Sequence, residues 1–268
     1  MTEMTNDFAD FPYKALSVEQ KGPVVRVRLN PSGQDSTLNI AALDDLIALL
    51  NSLHERPDVQ VLVLSSLGDD FCLGADREEY QAALEGDPTG TATRRIVDKA
   101  YRVCDALENT HAVTIARLHG RVVGAGIALA SFCDLRAGAD TCRFRMPEVG
   151  LGIPPAWGGA MGRLVAENGA ARIRELMLTC EPFDAATAHR IGLLHKVAPL
   201  DELDTVVDAW VKPLLRRSPE ALTLTKRMLA GYARADRTAD VALLDAHLLA
   251  AQLGRPRPQP SAASPSGS

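Results

Sequence analysis

With 268 residues the chain is long enough to bury one substantial core and a small appended domain. Its 46% apolar and 24% charged residues are those of an ordinary globular protein, and a net charge of -5 without any Lys/Arg block argues against a nucleic-acid partner. No apolar run reaches the length of a membrane span, and the opening MTEMTNDFAD lacks the basic and apolar regions of a signal peptide, so a cytoplasmic protein with no membrane partner is expected.

In chain order, VVRVRL (Val24 to Leu29) alternates as a half-buried strand does. Leu43, Leu46, Ile47, Leu50 and Leu53 then recur at helical spacing. VQVLVLSS (Val59 to Ser66) is a short continuous apolar run and reads as a buried strand. Ile96, Val97, Ala100, Val103, Cys104 and Leu107 line one face of a second helix, and AVTIARL (Ala112 to Leu118) is again strand-like. Strands alternating with helices predict an α/β domain with a largely parallel sheet. From about Pro199 the segments separated by Gly and Pro all read as helices, with Ser218-Pro219-Glu220 as one N-terminal signal. The expected organisation is a flexible segment 1–13, a core 14–199, a helical region 200–253 and a disordered Pro/Ser/Gly-rich tail 254–268.

Several chemistries find no motif. GAGIAL (Gly124 to Leu129) begins like a dinucleotide fingerprint, but Leu129 stands at the third glycine. There is no GxxxxGK[ST] loop, no GxSxG elbow and no HExxH, and the six histidines are scattered. The five cysteines show no CxxC spacing and read as reduced thiols.

What remains is three loops. FCLGADREEY (Phe71 to Tyr80) and HGRVVGAGIALASFCDL (from His119) each run from a strand into a helix, where backbone N–H groups lack intrahelical partners and carry positive partial charge. Together they could aim two N–H groups at one oxyanion; singly, each reads as an ordinary tight turn. In RMPEVGLGIPPAWGGAMG, Glu148 is the one charge between Pro147 and Gly162. A carboxylate is costly to bury unless paired, protonated or used. On the residues alone, a loop cap or a pair with Arg143 or Arg145 is the preferred reading of Glu148.

The order FCLGAD, HGxxxGAG…CDL, MPExGLGIPPxxGG, then LTCEPFDAATAHRIGLLHKV resembles the crotonase superfamily, the enoyl-CoA hydratase/isomerase proteins. The likeness covers roughly Val24 to Leu229, and DSTLN (Asp35 to Asn39) resembles the family's NALN-type segment. The resemblance implies an α/β fold, a spiral of ββα units with a C-terminal helical region that builds trimers, often paired into hexamers. It implies a thioester of coenzyme A or of a carrier protein as ligand, with coenzyme A part of the substrate and no other cofactor or metal. By the same resemblance the N–H groups of Ala75 and Ala125 polarise the thioester carbonyl. Leu73, Gly74, Gly124 and Pro155 line the thioester site, and Asp76 belongs to it by accepting N–H bonds that hold the loop.

Glu148 then matches one of two glutamates that flank the acyl chain in the best-known hydratases, and becomes the acid/base. The other falls on Ala128 and is missing, which weakens hydration and leaves one-base double-bond isomerisation slightly ahead. Hydration or dehydration, decarboxylation of a malonyl-type thioester, and a catalytically silent thioester-binding scaffold stay open. Apolar surroundings are expected to raise the pKa of Glu148. Glu78 and Glu79 are expected in solvent, and Trp157 either in the acyl pocket or in the core. Lys226 and Arg227 are expected at the coenzyme A phosphates or, preferably, on a solvated helix face.

Overall fold

A computed structural model describes Phe8 and residues 11–30, 36–87, 89–235 and 244–253. Most of the expected N-terminal flexible segment, Asp35 and the tail 254–268 lie outside these residues. β1 (Leu16–Lys21) turns at Gly22, whose φ of +57° suits glycine, into its antiparallel partner β2 (Val24–Leu29). LSVEQK announces itself poorly as a strand because an edge strand here buries only Leu16. α1 (Ile40–Ser52) starts at Asn39, whose side chain accepts the Ala42 N–H, and it buries Leu43, Leu46, Leu49 and Leu50. Each such leucine contributes about 1.5–3 kcal/mol of hydrophobic stabilisation.

β3 (Val61–Ser66) is buried at all six positions, in parallel register between neighbours, which is why its sequence is continuously apolar rather than alternating. α2 (Arg77–Gly86) and α3 (Thr91–Asn109) follow. Next come β4 (Val113–Leu118), β5 (Arg121–Val123) and α4 (Ala125–Ser131), then β6 (Leu135–Ala139), β7 (Arg143–Arg145), α5 (Ala160–Asn168) and α6 (Ala170–Thr179). β8 (Phe183–Asp184), α7 (Ala185–Arg190) and β9 (Lys196–Ala198) complete the sheets, and α8 (Leu203–Leu214), α9 (Pro219–Ala235) and α10 (Asp245–Leu253) come last.

The strands form a six-stranded sheet in the order β1-β2-β3-β4-β6-β9 and a three-stranded sheet in the order β5-β7-β8. β4–β5–α4 and β6–β7–α5 each place one strand in each sheet before a helix. The chain after β3 does the same with a single residue, since Cys72 makes a parallel bridge to Val122 on the edge of the smaller sheet. These successive ββα turns are the spiral that the family resemblance implies.

The late helices pack back on this core. α8 lies on β4, β6 and β9, where Asp204 and Asp208 meet Arg117 and Arg26 at 2.7 and 2.6 Å. α9 rests on α3 and β4, and α10 on α3. Lys226 corrects an expectation: it is neither solvated nor placed for a phosphate. Its buried ammonium donates to the carbonyls of Leu107 and Ala112 at 3.1 and 2.9 Å and pairs with Asp134 at 2.7 Å, so α9 is clamped to three separate core segments. Arg227 is exposed, as a solvated face requires. α9 also leaves Leu224, Met228, Leu229 and Tyr232 exposed.

Candidate active site

The two loops that lead into α2 and α4 are stitched together through Cys72. Its N–H donates to Arg121 O at 3.2 Å, and its carbonyl accepts the Val123 N–H at 2.8 Å. A Cβ on Gly126 would stand 2.7 Å from the Cys72 Cβ and 2.9 Å from its carbonyl oxygen, so only glycine lets α4 lie this close to the first loop. On the outer side Asp70 accepts the Arg121 N–H and guanidinium, each at 2.7 Å. Burial pushes the Asp70 carboxyl up, but the bonds from Arg121 outweigh it and hold the group below its ordinary pKa. His119 spends its Nε2 on Gly68 O at 2.7 Å and so orders the turn before Asp70, a structural imidazole.

Between these loops and the Pro147–Trp157 segment lies a cavity of about 490 Å³. Leu73, Gly74, Ala75, Gly124, Ala125 and Glu148 all line it, so the structure gathers most of the residues expected there. Ala75 precedes the Asp76 cap of α2, and Ala125 opens α4. No hydrogen bond among the described residues uses either N–H, while their neighbours are committed: Gly74 N–H to Cys72 Sγ, Asp76 N–H to Leu38 O, Gly124 N–H to Arg145 O. Two free amide donors in one low-polarity cavity can stabilise charge developing on a carbonyl oxygen.

Glu148 brings the acid. A Cβ on Gly124 would lie 2.8 Å from its Oε1, which puts the carboxyl directly against the residue before Ala125. Gly124 has φ +48° and ψ −111°, a backbone state that glycine alone adopts cheaply. The pairing preferred from the residues alone is not made. Arg145 Nε donates to Cys180 O at 2.9 Å, Arg143 donates to the carbonyls of Thr141 and Cys142, and no described side chain bonds to the Glu148 carboxyl. The backbone is held instead, with Glu148 O accepting from Leu151 and Ile153 N–H at 3.0 Å each. Burial raises the pKa of the carboxyl above its ordinary 4.5, against a smaller opposing backbone hydrogen bond. Among the described residues, Arg77 and Glu148 are the only charged ones lining the cavity. Ala128, where a second carboxylate is missing, is buried in α4 outside the lining.

Other expectations need correction. Pro155 does not line the cavity; its neighbours Pro154 and Ala156 do. Asp76 does what was expected of it: its carboxylate accepts the Glu78 and Glu79 N–H groups at 3.0 and 3.1 Å and caps α2, although the residue itself stands outside the lining. Glu78 is exposed as expected, but Glu79 is not simply solvated: it accepts the Ile40 N–H at 2.6 Å at the start of α1. Trp157 proves to be both buried and part of the lining. Two contributions have only faint signals in the sequence. Tyr80 stands one turn into α2 on its inward face, and Leu249, Gln252 and Leu253 close the cavity from α10, with Gln252 donating to Gly152 O at 3.0 Å. Helical spacing marks Tyr80 as inward-facing, but no local pattern shows that α10 returns to a loop a hundred residues earlier.

A two-sheet ββα spiral enclosing free amides and one partly buried acid defines a class, and the comparisons agree. Residues 19–253 match the family described as Enoyl-CoA hydratase/isomerase, and the chain belongs to that family. It is similar to the peroxisomal Delta(3,5)-Delta(2,4)-dienoyl-CoA isomerase of Arabidopsis thaliana, 32% identical over 228 residues that cover 81% of this chain and 82% of the relative. It is also similar to the crotonyl-CoA hydratase of Syntrophomonas wolfei, 30% identical over 217 residues that cover 80% of each. A structure from Thermobifida fusca YX, solved in complex with acetoacetyl-CoA, aligns with a TM-score of 0.73 at 30% identity, covering 86% of this chain and 94% of that one. No helix among the described residues is long and apolar enough to cross a membrane, and no described cluster of His, Cys, Asp or Glu could hold a metal ion.

Proposed function

We propose that the protein moves a carbon–carbon double bond in an acyl thioester of coenzyme A, with Glu148 as the single acid/base. The thioester oxygen sits between the Ala75 and Ala125 N–H groups, which take up the negative charge of a dienolate. Ionised Glu148 removes a proton from C2 of a 3-enoyl thioester. The electrons shift onto the oxygen, and the resulting carboxylic acid returns the proton at C4, leaving the 2-enoyl isomer. A raised pKa suits this shuttle, since donor and acceptor states then lie closer together near neutral pH.

The observation that carries the preference is the lining itself: among the described residues Glu148 is its sole carboxylate, and Ala128 supplies none. Adding water asks for one group to activate it and another to manage the Cα proton, whereas a 1,3-shift needs one base that reaches both carbons. Hydration is the second reading, supported by the name of the Syntrophomonas wolfei relative at 30% identity. The test is product analysis by mass spectrometry with 3-enoyl and 2-enoyl thioesters, for wild type and Glu148→Gln. Isomerisation without mass change is expected, with Glu148→Gln slowing kcat by about 10²–10⁴-fold and sparing thioester binding. A gain of one water from a 2-enoyl thioester refutes the isomerase preference. We further propose a homotrimer, or a hexamer of two trimers, built on the apolar face of α9; light scattering reads the mass directly.

A further inference from the structure

The protein has a second cavity, of about 540 Å³, that shares no lining residue with the first. It opens over β2, β3 and β4 on the face of the large sheet where α8 packs, and Leu200 and Asp204 border it from that side. Its floor carries Arg26, Arg28 and Arg117, three cations together in a chain of net charge -5. Among the described residues Asp204 is the only carboxylate that lines it. Asp208 and Glu19, the partners of Arg26 and Arg28, stand outside the lining with side chains 49% and 53% exposed, and exposed pairs of this kind are weak. Arg26 and Arg28 each give one N–H to these partners, and no hydrogen bond among the described residues uses the rest. His119 also lines the cavity but is occupied at both ring nitrogens, by Gly68 O and by an Arg117 N–H.

Strand register sets the spacing of this floor. Arg28 is level with Ser65, and Ser65 stands one step beyond the Leu64–Ala116 pair, level with Arg117. Neighbouring strands lie about 4.8 Å apart, so Arg28 and Arg117 flank Ser65 from backbones about 10 Å apart. Two guanidinium groups can then close from either side on one tetrahedral oxyanion, above a serine hydroxyl held only by a 3.3 Å bond to Val27 O. We propose that this cavity binds a phosphate monoester of a small molecule, with the phosphate over Ser65 between Arg28 and Arg117. Arginine matches phosphate geometry with paired N–H donors, which a carboxylate-binding lysine pair would not supply. Leu67 and Leu200, 49% and 47% exposed at the same cavity, offer apolar contact to the body of the ester, and the volume lies in the range of small-ligand sites. Asp204, bonded to Arg117 at 2.7 Å, is the group that an entering phosphate must displace. The inference is independent of the thioester reading, because it uses none of Ala75, Ala125 and Glu148.

The test is calorimetric titration of the full chain at low ionic strength with adenosine 5′-monophosphate, inorganic phosphate and adenosine as probes. The monophosphate is expected to bind more tightly than inorganic phosphate, and adenosine not at all. Arg28→Gln and, separately, Arg117→Gln are expected to weaken the monophosphate by about 10- to 100-fold, as the loss of charge-assisted hydrogen bonds implies. Asp204→Asn is expected to tighten it several-fold, a change of sign that a variant merely damaging the fold would not produce. Arg77→Gln, which alters the lining of the other cavity, is expected to leave it unchanged. No binding of either phosphate by wild type overturns the proposal. So does binding that survives Arg28→Gln and Arg117→Gln but is lost in Arg77→Gln, since the anion then sits in the first cavity. Equal weakening in all three variants of this cavity, Asp204→Asn included, overturns it as well. Adenosine binding as tightly as its monophosphate would show that the arginines play no part.

Discussion

Lys226→Met separates a structural cation from a ligand-binding one. Methionine keeps the length of the side chain while deleting the charge and three contacts: the Leu107 carbonyl at 3.1 Å, the Ala112 carbonyl at 2.9 Å and the Asp134 carboxylate at 2.7 Å. Breaking a buried pair by removing one partner costs about 3–5 kcal/mol. The low end applies, because the Asp134 side chain is 27% exposed and keeps the Thr114 N–H and hydroxyl at 2.8 and 2.9 Å. A loss of about 3 kcal/mol lowers Tm by roughly 6–12 °C in a chain of this size. Thermal melts followed by circular dichroism read that shift, and steady-state kinetics on a coenzyme A thioester give KM in the same preparation. The expected result is a large fall in Tm with KM little changed. A Tm within about 2 °C of wild type, together with a tenfold rise in KM, would refute the reasoning and return Lys226 to the ligand.

Three further outcomes test the site. If Glu148 is the base, kcat/KM rises with pH through its raised pKa, so the acid limb lies above the ordinary carboxylate value of 4.5; a limb at or below 4.5 contradicts the assignment. Stability runs the other way. The folded state holds that proton more tightly than the unfolded chain, so the contribution is complete below 4.5 and is lost as pH climbs through the raised value, a slope that Glu148→Gln should flatten in urea titrations. Gly126→Ala is predicted to cost about 1–3 kcal/mol by overpacking. Its new methyl would meet Cys72 at 2.7 Å, and because Cys72 ties the two loops together, kcat should fall with stability; a variant as stable and active as wild type would show that the loops give way freely.

How much of this was legible in the sequence depends on whether each interaction is local. β3 and the buried faces of α1 and α3 declare themselves because a residue's burial there follows from the period of its own segment. Two of the three loops were readable because glycine at Gly74, Gly124 and Gly126 answers to backbone geometry and close approach within and between adjacent turns. β7 and β8 were not, since strands of three and two residues carry no periodicity and exist only through their pairing. Lys226 was misread for a related reason: its helix position looks like solvent, and only the fold brings Leu107, Ala112 and Asp134 around it. Glu148 illustrates the limit most directly. Its arginine neighbours in sequence suggested a pair, but both guanidinium groups are taken by carbonyls, which leaves the acid to the cavity.

α10 gives the molecule a history as well as a shape. The helix that seals the cavity follows the last strand, which ends at Ala198, by nearly fifty residues. A ribosome adding about 5–20 residues per second therefore completes both sheets some 2–10 s before that wall emerges. During that interval the lining around Trp157, later covered by Leu249 and Leu253, faces water as a sticky hollow. Nascent chains halted there should be the ones that chaperones retain, and a full-length chain should escape them once its own final turns have filled the gap.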